Sequence, residues 1–140
     1  MICAIRIRGG VGLDRDVTEA LNRLRLRRKY SCIVLKPNPV IEGMIRKVKD
    51  FVAYGEINDG VFEKLIEKRG QIIDKSKKID AKKIVSEIKN GKKYEDCNLK
   101  PFFRLHPPRG GIDSKIHFGK KKGVLGDNKE GINKLAERML

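Results

Sequence analysis

Apolar residues follow two periods along this chain. Residues 2–8 alternate, with Cys3, Ile5 and Ile7 on one side and Ala4, Arg6 and Arg8 on the other, the pattern of a strand. Gly9-Gly10 end it. Leu13, Val17, Ala20, Leu21 and Leu24 then recur at helical spacing, with Asp14 and Asp16 well placed near a helix N-terminus. Leu26 and Arg28 fall off that stripe, which predicts a helix ending near Arg27. Cys32-Ile33-Val34-Leu35, stopped by Pro37, is too short for a helix and reads as a buried strand. Pro39 suits the first turn of a second helix with the stripe Ile41, Met44, Ile45 and Val48, and residues 51–57 follow as a third strand.

Residues 1–57 therefore predict β-α-β-α-β in an α/β (α+β) class: a three-stranded sheet with two helices on one face and the other face open. Beyond them, a third helix starts at Asn58 or Asp59, packs Val61, Phe62, Leu65 and Ile66, and stops at Gly70. Residues 74–83 are lysine-rich and expected to be exposed. Asp80 is placed to cap a short helix holding Ile84, Val85 and Ile88, ending at Asn90-Gly91. Residues 102–105 read as a short strand, 106–126 as an extended basic loop without period, and 128–140 as a terminal helix. The terminal stripe is Ile132, Leu135, Ala136 and Met139. Residues 58–140 are thus expected to form a C-terminal extension packed on the core.

At 140 residues the chain is long enough for one core without metal or disulfide staples. Its anomaly is charge: 33 Lys and Arg face 18 Asp and Glu, a net of +15. The nets of residues 1–57, 58–100 and 101–140 are +6, +4 and +5, so the folded body is basic throughout. A polyanion is the natural partner, nucleic acid before a membrane surface, because no amphipathic helix joins the charge to large aromatic anchors. No uncharged stretch is long enough to span a bilayer, and Arg6 and Arg8 interrupt any signal-like apolar run at the start. Cys3, Cys32 and Cys97 are scattered and suit a reducing compartment.

Enzymatic signals are weak. Gly10-Val11-Gly12 resembles half of a dinucleotide fingerprint, but Arg15 holds the third glycine position and Lys36-Pro37 stand where an acidic ribose partner is needed. Asp14 and Asp16 would repel a pyrophosphate there. His106, His117 and Cys97 are too irregularly spaced for a metal site, and no Cys–His or Ser–His pairing is evident. Phe51-Val52-Ala53-Tyr54 partly matches an RNA-recognition-motif strand, yet Lys49 replaces the upstream aromatic and the first strand has none. Sheet packing is the better reading of Phe51 and Tyr54.

The basic clusters say more. Arg23, Arg25, Arg27, Arg28 and Lys29 crowd the end of the first helix, in a stretch from Leu21 to Pro39 without Asp or Glu. Guanidinium forks suit phosphate geometry. Arg46, Lys47 and Lys49 line the second helix. In the loop, Arg104, His106, Arg109, Gly110, Gly111, Lys115, His117, Lys120, Lys121 and Lys122 meet only Asp113 as an acid. Such a segment gains order by threading between phosphates, with Gly110-Gly111 allowing close backbone approach.

A family resemblance rests on these residues. The segments 24–28, 33–35, 39–45, 47–50 and 54–57, with 65–70, the block Phe103-Arg104-Leu105-His106-Pro107-Pro108-Arg109-Gly110-Gly111 and the ending Glu137-Arg138-Met139-Leu140, resemble one ribosomal protein family. It is the universal large-subunit ribosomal protein thirty, in its archaeal form, whose eukaryotic counterpart is large-subunit protein seven. The resemblance covers nearly the whole chain. It implies a ferredoxin-like β-α-β-α-β core with an archaeal and eukaryotic C-terminal half. It also implies a non-enzymatic role without cofactor or metal: binding large-subunit ribosomal RNA, near the 5S RNA, among neighbouring ribosomal proteins, in the cytoplasm. The rival readings are a free-standing RNA-binding module using the open sheet face, and a small enzyme on the same scaffold.

Overall fold

The computed structural model describes residues 1–74, 76 and 80–140. The reading of an exposed lysine-rich stretch lies in part, at Lys75, Lys77 and Lys78, outside the described residues. In chain order the elements are β1 (Ile2–Arg6), α1 (Arg15–Arg23), β2 (Ser31–Leu35), α2 (Pro39–Lys47), β3 (Val52–Glu56) and α3 (Asp59–Arg69). They continue as α4 (Ala81–Lys89), β4 (Phe103–Arg104), β5 (Ser114–His117), β6 (Gly123–Asp127) and α5 (Gly131–Met139). The strands lie in the order β4-β2-β1-β3-β6-β5. β1 pairs antiparallel with both β2 and β3, and β6 adds parallel to the far side of β3. The opening β-α-β-α-β unit is a ferredoxin-like α+β core.

The alternation in β1 separates two cores. Ala4 packs with Ile33 and Val52 against Leu21 and Leu24 of the α1 region and Ile45 and Val48 from α2. Cys3, Ile5, Ile7, Cys32, Val34 and Ala53 face the other way and join Phe62 and Leu65 of α3, Ile84 and Val85 of α4, and Ile132 and Leu135 of α5. The sheet face expected to be open is therefore covered. Its surface is wholly apolar, and helices from the second half remove it from water at about 25 cal/mol per Å². Phe51 and Tyr54 sit half-buried on the α1–α2 side. An RNA-binding module using a bare sheet face is thus contradicted: the face is filled, and its aromatic pair points elsewhere.

Three boundaries differ from expectation by more than two residues. The first helix ends at Arg23 rather than near Arg27, because Arg25 adopts φ +58. The Leu26 N–H then bonds the Leu21 carbonyl at 2.8 Å and the Arg25 N–H bonds Asn22 at 3.0 Å, a reciprocal closure of the helix end. Residues 106–126 are not one loop: β5 forms within them and β6 starts there, and the Phe118 N–H bonds the Leu125 carbonyl at 2.8 Å. Glycine and lysine hide the alternation of this ribbon, whose pairing is made by backbone. The last helix starts at Gly131 rather than 128, since buried Asn128 spends its amide on the Val124 and Gly126 carbonyls. By contrast α3 buries the expected Val61, Phe62, Leu65 and Ile66 and ends at Gly70. A Cβ on Gly70 would run into the Ile66 carbonyl oxygen.

Candidate nucleic-acid interface

A buried arginine organises the basic end of the sheet. Arg6 is 5% exposed and has no carboxylate partner among the described residues. Its guanidinium donates to the carbonyls of Leu26 and Arg27 at 2.8 Å, Arg8 at 3.0 Å and Gly9 at 3.1 Å. Burial lowers its pKa from the ordinary arginine value. These bonds tie the arginine-rich segment after α1 to the end of β1.

Around that anchor, Arg23, Arg25, Arg27, Arg28 and Arg104 line an open cleft of about 520 Å³ with Asn22, Ser31 and Phe102. The strand pairing of β4 with β2 sets Arg104 opposite Ser31, and so brings a residue from the second half to the first arginine group. The Arg104 guanidinium lies over the Phe102 ring at 5.8 Å, and Lys29 over Tyr30 at 4.7 Å. Two of the arginines have acidic neighbours, Arg23 with Glu19 and Arg25 with Glu95. Among the described residues, Arg27, Arg28 and Arg104 have none.

The other basic segments enter the sheet at this same end. The Tyr30 N–H bonds the Arg6 carbonyl, and the Ile7 and Arg8 N–H groups both bond Phe51, so β1 ends between the starts of β2 and β3. Lys47 and Lys49 immediately precede β3; Lys47 pairs with Asp16 at 3.1 Å. The ribbon docks beside them: His117 Nε2 lies 2.7 Å from Asp50 Oδ1, and Arg8 donates to the Lys115 carbonyl at 2.6 Å. Lys120, Lys121 and Lys122 form the exposed turn of that ribbon, closed by the Gly123 N–H on the Lys120 carbonyl at 2.7 Å. Among the described residues these three lysines have no acidic partner. Arg46 departs from the group, facing a separate hollow beside Glu42.

The His-Pro-Pro-Arg-Gly-Gly block runs past the sheet and is tied to the end of α5. The His106 N–H bonds Met139 at 3.0 Å, and the Arg109 N–H bonds Arg138 at 2.9 Å. Arg138 donates back to the carbonyls of Arg109 and Gly111. The glycines serve a turn: the Gly111 N–H bonds Pro108 at 2.9 Å with Gly110 at φ +77 and Gly111 at φ +73. The side chains of His106 and Arg109 remain exposed. Sequence reasoning did not single out Arg6, Arg8, Phe102 or Arg138 as builders of this surface. An arginine inside an apolar strand was the available signal for the first two.

Comparison with known proteins agrees with this architecture. The family described as ribosomal protein L30p/L7e matches residues 3–52, from β1 to the start of β3. The large ribosomal subunit protein uL30 of Archaeoglobus fulgidus is 38% identical, covering 99% of this chain and 99% of its own length. The chain belongs to the L30p/L7e ribosomal protein family. Its similarity to uL30 extends through the C-terminal half: that of Pyrobaculum aerophilum is 40% identical over 97% of this chain and 92% of its own. The uL30 of Methanobrevibacter smithii is 34% identical over the full length of both. Among the described residues, no helix is long and apolar enough to cross a membrane, and no group of three or more His, Cys, Asp or Glu could hold a metal ion.

Proposed function

We propose that this chain is a non-enzymatic structural constituent of the large ribosomal subunit that binds ribosomal RNA with the basic end of its sheet. One observation carries the reading: cationic segments after α1 and α2, the end of β4 and the β5–β6 ribbon all converge on that end. The nearby acids Asp16, Glu19 and Glu95 are already spent in ion pairs, and Asp50 is hydrogen-bonded to His117. Arg27, Arg28 and Arg104, without acidic neighbours among the described residues, repel each other until phosphates neutralise them, and counterion release then drives binding. Arg23, Arg25, Arg27, Arg28 and Arg104 grip one stretch of backbone from the cleft. Lys29, Lys47, Lys49, Lys115, His117 and the Lys120-Lys121-Lys122 turn meet further phosphates, and His106 and Arg109 flank the tied turn at Gly110-Gly111. Arg46 is the weakest member, since it faces acids.

RNA shape supplies most of the specificity in such a contact. A position near the 5S RNA, among neighbouring ribosomal proteins in the cytoplasm, follows from the family resemblance and belongs to the same proposal. The test is sedimentation of lysate from cells that make the protein, before and after a wash in high salt. Recovery with the large subunit through the wash is expected. Recovery in the free pool removes the structural role.

A further inference from the structure

At the other end of the sheet the charge changes sign. Ile2, the first residue of β1, pairs with Glu56, the last of β3, and β6, parallel to β3, ends beside Tyr54 and leads into the turn before α5. Between this end and α2 lies an open hollow of about 690 Å³. Ile2, Ile45, Tyr54 and Phe118 give it an apolar lining, and Phe118 is 47% exposed. Its remaining wall carries Glu42, Glu56, Asp127 and Glu130 against the two cations Arg46 and Lys129. None of those four carboxylates makes an ion pair among the described residues, in a chain with 33 Lys and Arg.

We propose that this hollow seats a lysine- and arginine-rich extended segment of a neighbouring protein. Three features select that occupant. RNA is excluded, because its phosphates would meet unpaired carboxylates. A single metal ion is excluded, because among the described residues no three carboxylates converge closely enough to hold one. A cationic side chain fits both parts of the lining: its methylene stem lies on Ile2 and Ile45 while its head reaches a carboxylate or the face of Phe118 or Tyr54. The hollow is large enough for several such side chains, which an extended segment presents in succession. The inference rests on the reading that RNA takes the opposite end of the sheet.

The test is fluorescence anisotropy of the full chain with a fluorescein-labelled peptide of Lys, Arg, Gly and Pro at low ionic strength. The chain's net charge of +15 disfavours such a peptide elsewhere, so the binding that is lost in a variant without the four carboxylates reports the hollow. The expected dissociation constant is on the order of tens of micromolar, weakened about tenfold or more in the variant E42Q/E56Q/D127N/E130Q. The substitution Asp127→Asn keeps the acceptor that holds the Lys129 N–H at 2.9 Å, and circular dichroism checks the fold. Absence of saturable binding, or binding unchanged in the variant, overturns the proposal. Affinity of the same preparations for ribosomal RNA, expected to be unreduced in the variant, is measured alongside. Loss of RNA binding by the native chain would sink the RNA reading instead.

Discussion

Replacing Arg6 by Met tests how the interface is built, because Arg6 supports the cleft without lining it. The substitution keeps an apolar stem of similar length and removes every donor. Four carbonyls lose their partner. The bond to Leu26 is fully buried, whereas the other three are only part-buried, so water can take over those acceptors. A buried acceptor left unpaired costs about 1–3 kcal/mol, and the part-buried ones add a smaller share. Relief from burying an unpaired guanidinium offsets some of this. The net expectation is a loss of about 2–3 kcal/mol, a large fraction of the roughly 5–15 kcal/mol that holds a domain together. Urea unfolding of native protein, Arg6→Met and Arg6→Lys measures it, with Lys falling between because its ammonium can serve some of the same carbonyls. RNA affinity of folded Arg6→Met is expected to fall about tenfold, since the arginine segment must now be ordered on binding. Stability within about 0.5 kcal/mol of native, with unchanged RNA affinity, would mean that Arg6 does not hold the arginine segment in place.

Other perturbations separate fold from binding. Changing Lys120, Lys121 and Lys122 to Gln removes three exposed cations and should flatten the salt dependence of RNA binding by about two units of slope, read by filter binding across a salt series; an unchanged slope means the ribbon turn does not touch RNA. Arg25→Gly should move two quantities in opposite directions: stability rises by about 0.5–1 kcal/mol because φ +58 suits glycine, while RNA affinity falls with the lost guanidinium. Lys92 holds Glu87, and Lys64 holds Glu137, below the usual carboxylate range. Stability from these pairs is therefore present above the unfolded carboxylate pKa and is lost as pH falls through the lower folded values. Thermal melts between pH 6 and pH 3 should show a shallower decline in Glu87→Gln/Glu137→Gln than in the native chain.

Legibility followed the physics of each segment. The apolar stripes of α3 and α5 were plain because three or four residues per helix face the core at fixed spacing. The alternation of Cys3, Ile5 and Ile7 against Ala4 was equally plain, although one of the two faces it defines was expected to stay open. That the second face is covered could not be read from residues 1–57, since Phe62, Leu65, Ile132 and Leu135 come from far along the chain. β5 and β6 escaped notice because Gly123 and Gly126 carry no side chain and the strands are joined through backbone. At the candidate interface, the arginines and the lysine turn were visible as composition. Their convergence was not, because it depends on register: Arg104 opposite Ser31, Tyr30 on Arg6, and Phe51 on Ile7 and Arg8. Arg6 was visible as a charge inside an apolar strand, a position that meant burial rather than exposure.

One end of the sheet is proposed to meet ribosomal RNA. Ultraviolet crosslinking of large subunits containing this chain, followed by mass spectrometry of the crosslinked peptides, tests it most directly. Crosslinks are expected in residues 23–29, 47–49, 104–109 and 115–122, and none around Glu42, Glu56 or Glu130. Crosslinks concentrated on the exposed sides of α3 and α4, with the arginine cleft and the lysine turn unmodified, would contradict it.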